Sequence, residues 1–164
     1  MMGPLEVQKG VNSEEIDDQG FEFDADLYRE VSCAAKLREI RLLDSSYSIK
    51  VELFDDFDKA IEMRHSFSGS LEECALDKDV GVASGCFTWG AEVKYKRKKS
   101  LKLSAKYLVR YSELEGCDEN HIFAFFTKVG RFATYPYFRA LFSNLTSESG
   151  LILPPLPALN ERVD

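Results

Sequence analysis

No C-x-x-C pair joins any of the four cysteines, Cys33, Cys74, Cys86 and Cys117. A zinc site built on paired ligands is therefore unsupported, and free thiols, buried or half-buried, are expected. Histidine is scarce: His65 and His121 stand far apart and in no metal spacing. The chain contains no G-x-S-x-G elbow, no P-loop and no G-x-G-x-x-G. The common signatures of acyl transfer, nucleotide hydrolysis and dinucleotide chemistry are thus missing, and an enzyme is not expected. No apolar run approaches a membrane span. The opening MMGPLEVQKGVNSEE has neither the basic nor the apolar region of a secretory signal, so a cytoplasmic location is expected.

What is present fits one domain. With 164 residues, 45% apolar and 30% charged, the chain can bury a sizeable core. The net charge of −7 is unevenly placed. Residues 1–30 carry nine acids and two bases, while the remaining residues carry nineteen of each. The acidity belongs to a leader, and a neutral body argues against general nucleic-acid binding, which needs a basic face. Residues 1–24 are polar and acidic without sustained periodicity and read as a disordered leader, with Phe21-Glu-Phe23 as a sticky exception.

A helix is expected after Asp24 or Asp26, with Leu27, Val31, Ala34 and Ala35 at helical spacing. Alternation through Tyr47, Ile49, Val51 and Leu53 marks a strand from about Leu37 to Leu53, bent near Asp44-Ser45-Ser46. Residues 54–81 carry little pattern. Asp55, Asp56 and Asp58 lack the later glycine and acid of a calcium loop and read as a solvated acidic loop, and His65–Leu71 as a short strand. The strongest signal is a hairpin. Phe87, Trp89, Ala91, Val93 and Tyr95 alternate with polar residues, as do Leu101, Leu103, Ala105, Tyr107, Val109 and Tyr111, with Lys96–Ser100 as the turn. Lysines and arginines from Lys94 to Arg110 line the opposite, wet face. They read as solvated charges that guard the sheet against edge association, in preference to a phosphate site.

Helices close the chain. Asp118 is a fair N-cap for a short helix carrying Ile122, Phe125, Phe126 and Val129, with Gly130 as its stop and Arg131–Thr134 as a connection. Pro136 then suits the first turn of a second helix bearing Phe138, Leu141, Phe142 and Leu145. Gly150 ends it, and the prolines of Leu151–Pro157 prevent its continuation. Eight of the twenty aromatics fall between Phe123 and Phe142. One helix face cannot bury them all, so a subunit interface or an apolar groove is expected. Strands followed by helices give an α+β fold, an antiparallel sheet with helices packed on it.

The segment PYFRALFSNLT, then a glycine, then LILPPLP, resembles the C-terminal signature of the SecB export chaperones, and most closely their divergent SecB-like relatives, which include those paired with toxin–antitoxin systems. In that family an aromatic or apolar residue precedes Pro-Tyr-x-Arg at the start of the main helix, and a Gly-Leu-x-x-Pro exit follows. Tyr135, Pro136, Tyr137 and Arg139 occupy the first motif, and Gly150, Leu151, Pro154, Pro155, Leu156 and Pro157 the second. The resemblance implies a four-stranded antiparallel sheet with C-terminal helices on one face. Under it the chain divides into a leader (1–24), a SecB-like domain (25–159) and a short tail (160–164). It also implies a homo-oligomer, dimer or tetramer, that holds unfolded polypeptide or preprotein in apolar grooves without ATP, metal or other cofactor.

A translocase motor or an antitoxin are the further partners that the family suggests. The few residues after Pro157 lack the longer C-terminal helix and tail with which export chaperones meet the motor, which favours a dedicated client. Tyr135, Tyr137, Phe138, Phe142, Leu151 and Leu153 are the residues expected to bind polypeptide. The alternative reading is a non-catalytic oligomeric adaptor for one folded partner.

Overall fold

The computed structural model describes residues 21–55 and 63–159. The expectations for residues 1–20, for Asp56 and Asp58, and for residues 160–164 lie outside the described residues. Helix α1 spans Ala25–Ala34, and Asp24 caps it, its carboxylate accepting from the N–H groups of Asp26 and Leu27. Strand β1 (Lys36–Ile49) leads to a one-turn helix α2 (Glu52–Asp55). Strands β2 (Met63–Asp77), β3 (Val82–Tyr95) and β4 (Lys98–Ser112) follow. A helical run closes the fold: α3 (Glu119–Phe125), a π turn (Phe126–Gly130) and α4 (Arg131–Glu148).

The four strands form one antiparallel sheet in the order β1-β4-β3-β2, with α4 on one face. That is the α+β architecture expected from the strand and helix patterns. The alternating residues of β3 and β4 named above are buried without exception on the helix side. Burial of this kind stabilises by roughly 25 cal/mol per Å² of apolar area, so the two central strands dominate the core.

Three boundaries differ from the sequence reading. The hairpin turn is only Lys96 and Arg97, both with positive φ (47° and 66°), as a two-residue primed turn requires. Ser100 is the extra residue of a bulge: Val93 pairs with Leu101 and Lys94 with Lys99. The bulge keeps Leu101 on the core side, and Lys50 N–H takes the Ser100 carbonyl at 2.8 Å. Leu53 lies in α2, not in β1, and is fully buried. The weak strand signal at His65–Leu71 belongs to a strand of fifteen residues. Its open face carries serine, and its core face carries Gly69, where a Cβ would sit 2.3 Å from the Trp89 ring.

The helices differ most. Gly130 is not a stop: its φ is −60°, and the chain runs helically from α3 through the π turn into α4. A Cβ at Gly130 would lie 2.8 Å from Phe87, so the glycine serves close approach to the sheet. Pro136 is accordingly not in the first turn but inside α4. It removes the N–H that would bond the Phe132 carbonyl. Both residues are exposed, so water can take that carbonyl.

Trp89 sits fully buried at the centre of the sheet, and its indole N–H donates to Thr134 Oγ1 at 2.9 Å. Thr134 in turn donates to the Gly130 carbonyl at 3.1 Å. Thr134→Val keeps the shape and strands the indole donor. The expected cost is about 1–3 kcal/mol, read as a lower urea midpoint with an unchanged slope.

Candidate functional site

Helix α4 ends as the glycine predicts. Gly150 has φ +71°, its N–H bonds the Ser147 carbonyl, and Leu151 N–H bonds the Thr146 carbonyl at 2.9 Å. From there residues 151–159 run without helix or strand along the flank of α4. Leu151 and Leu156 are buried anchors, Leu153 is half-buried, and the prolines face solvent. Two α4 side chains hold the strip by consecutive carbonyls. The Tyr135 hydroxyl donates to Pro157 O, and Arg139 Nε donates to Leu156 O at 2.5 Å. Burial pushes the Tyr135 phenol up in pKa, against the opposing influence of Arg139, so it remains a donor at neutral pH.

Beside the strip, α4 and residues Pro155, Ala158 and Leu159 enclose an open groove of about 420 Å³. Its α4 wall is Phe132, Tyr135, Pro136, Arg139, Ala140 and Ser143, spaced at i, i+3, i+4, i+7 along one flank. The wall is mostly apolar. Arg139 is its one cation, and among the described residues it has no acidic partner.

The residues expected to bind polypeptide divide. Phe138 and Phe142 are fully buried against the sheet, Phe138 stacked on Trp89 with centroids 6.1 Å apart. Tyr135 and Leu151 are buried as well, with Tyr135 stacked on Phe67 of β2 at 5.3 Å. Tyr137 is 54% exposed on the outer side of α4, and Leu153 is half-buried. The stripe that identifies a helix in sequence is the stripe it buries, so Phe138 and Phe142 serve the core in this chain. The neighbouring flank with Phe132, Pro136, Arg139 and Ala140 has no such stripe. Only its i, i+4 pairing of Phe132 with Pro136 marks it in sequence.

The other chemistry-bearing residues do not converge. The cations of β3 and β4 lie on the sheet face away from α4, where Lys99 meets Glu92 at 2.8 Å and Arg110 meets Glu39 at 2.6 Å. Lys106 faces Glu72 and Glu73. These are exposed pairs of small energetic worth. No group of His, Cys, Asp or Glu among the described residues could hold a metal. The four cysteines are free, and burial pushes the Cys74 thiol to about 12. No described helix is long and apolar enough to cross a membrane.

His121 has a structural role. Its Nδ1 pairs with Asp118 Oδ2 at 2.6 Å, and its Nε2 accepts from Asp24 N–H at 2.9 Å. Phe21 and Phe23 pack on the imidazole at 5.1 and 5.8 Å, and Lys128 lies over the Phe23 ring. The end of the acidic leader, residues 21–24, is thereby fastened to α3.

A four-stranded sheet in this order, with one long helix across it and an extended exit, is the SecB-like fold. The chain superposes on the Mycobacterium tuberculosis Rv1957 SecB-like chaperone, solved in complex with a ChAD peptide from the Rv1956 HigA1 antitoxin. The TM-score is 0.68 at 16% identity, over 84% of this chain and 99% of that one. No family model matches the sequence, and no curated protein does.

The rotation of α4 has a direct check. Phe138→Ala is expected to cost about 3–5 kcal/mol, and Tyr137→Ala about 0.5 kcal/mol or less, in urea unfolding. Equal costs would mean that α4 presents a different face to the sheet.

Proposed function

We propose that this protein is an ATP-independent holdase, a non-catalytic chaperone that binds non-native polypeptide as extended apolar segments. One observation carries this reading: α4 holds an extended, apolar, proline-rich backbone by its carbonyls, with an open apolar groove beside it. A surface that reads backbone carbonyls and apolar side chains accepts many sequences. The SecB-like fold supports the same reading, and its neighbour's antitoxin peptide favours a dedicated client of that class over a preprotein bound for export. Phe132, Pro136, Ala140 and the hydroxyl of Tyr135 supply the contact surface, while Tyr137 on the far side of α4 and Leu153 lie outside the groove. Phe138, Phe142 and Leu151 set its position from within.

The assembly proposed is a homo-oligomer through β1. Among the described residues no strand pairs with its outer edge, and Leu37, Leu42 and Leu43 on it are each about half exposed. Apolar side chains on an open edge favour pairing with a second copy. Sedimentation velocity is expected to give a dimer or tetramer, and Leu42→Lys with Leu43→Lys to give monomer. A monomeric parent chain would remove this part of the reading.

The holdase activity is tested by light scattering of a thermally aggregating client. Suppression is expected near stoichiometric ratios without nucleotide. Phe132→Ser with Ala140→Asp, both on exposed positions of the groove, is expected to reduce suppression several-fold while leaving the melting temperature within a few degrees. Retention of a single folded partner, with no suppression of aggregation, would favour the adaptor reading instead.

A further inference from the structure

We infer that residues 151–159 are a built-in occupant of the polypeptide site, a displaceable strip whose place on α4 a client segment takes. The inference rests on the holdase reading and extends it to how the site is regulated. The strip has the properties of such a client: it is apolar, extended, and belongs to neither helix nor sheet. Among the described residues, no backbone hydrogen bond is made from 152 to 159. Three of these residues are prolines, which cannot donate one. The attachment is two buried apolar anchors, Leu151 and Leu156, the half-buried Leu153 and Leu159, and two side-chain donors, Tyr135 and Arg139. Ile152, between the anchors and 85% exposed, holds nothing.

An attachment of this kind can open without breaking the fold. Beyond Leu151, whose N–H closes the last turn of α4 on the Thr146 carbonyl, the strip makes no backbone–backbone bond to a strand or helix among the described residues. Once it lifts, the carbonyl-reading pair Tyr135 and Arg139 and the seat of Leu156 become available to another extended chain. Neither donor reads a side chain, so a client carbonyl replaces a strip carbonyl one for one. The bound strip keeps the apolar seat covered when no client is present. It also competes with every client from an effective concentration on the order of millimolar, which sets a threshold affinity.

The test uses a fluorescein-labelled peptide with the sequence of residues 151–159, read by anisotropy against the full chain. The parent chain is expected to bind it weakly. Leu156→Ala, which removes one anchor, is expected to bind it at least ten-fold more tightly, and adding Tyr135→Phe with Arg139→Ala is expected to abolish the gain. Pro155→Gly with Pro157→Gly leaves every buried contact intact and only loosens the free strip. It is expected to raise affinity by roughly two- to five-fold, and it serves if Leu156→Ala does not fold.

Unchanged peptide affinity in folded variants would overturn the inference. So would a gain that survives loss of the two donors, or association of the loosened chains with one another in place of peptide binding, since that would mean strip exchange between copies. The two readings separate in the scattering assay. A parent chain that suppresses aggregation while the strip variants match it leaves the holdase standing without the plug; no suppression by any variant removes the holdase itself.

Discussion

A buried tryptophan must place its indole N–H, and this fold does so with one helix residue. Trp89 stands at the middle of β3 with no exposure, and Thr134 of α4 accepts its proton. That bond fixes the distance of α4 from the sheet and its rotation about its own axis. Tyr135 and Phe138 then close over the indole, Phe142 packs against the sheet one turn further on, and Gly69 and Gly130 are bare where aromatic rings come within 3 Å of a would-be Cβ. The outward faces follow from the inward ones. With Phe138 and Phe142 turned in, Phe132, Pro136, Arg139 and Ala140 must fall on one flank and Tyr137 on the far side. The groove is thus a by-product of how a tryptophan is satisfied in the core.

The parts of the fold legible in sequence are those whose two faces differ in chemistry. β3 and β4 alternate large apolar with charged residues because one face meets α4 and the other meets water, and the hairpin reads cleanly. β2 is an edge strand with serines outward and a glycine under Trp89, so neither of its faces advertises itself, and a fifteen-residue strand reads as a short one. Gly130 and Pro136 mislead for a common reason. Both are strong local punctuation, and both are overridden by tertiary packing: Gly130 by the approach of Phe87, and Pro136 by a helix already nucleated upstream. At the site, periodicity finds the buried stripe of α4. A groove wall made of a proline, an alanine, an arginine and one phenylalanine has no apolar period of its own.

Ion pairs run through the basic stretch of β3 and β4. Lys99, Lys106 and Arg110 of β4 stand opposite acids on neighbouring strands, Glu92 on β3, Glu72 and Glu73 on β2, and Glu39 on β1. Opposite charges across strands reinforce register, and acids interleaved with the cations weaken the field a phosphate would follow. The sheet therefore has a polar open face and an apolar covered one. Its apolar surplus is pushed to two places, the outer edge of β1 and the flank of α4.

Those two places ask for different partners because of backbone chemistry. Along its outer edge β1 offers N–H and C=O groups that pair with no strand among the described residues, together with leucines, and another strand would bring a match for both. The flank of α4 holds the strip through two donors, a tyrosine and an arginine, and so suits an extended backbone whose carbonyls face inward. A proline-containing segment meets that demand best, having fewer donors to leave unsatisfied. Pro154, Pro155 and Pro157 are therefore more than a helix terminator. They keep the strip from pairing as a fifth strand, as the release proposed for it requires.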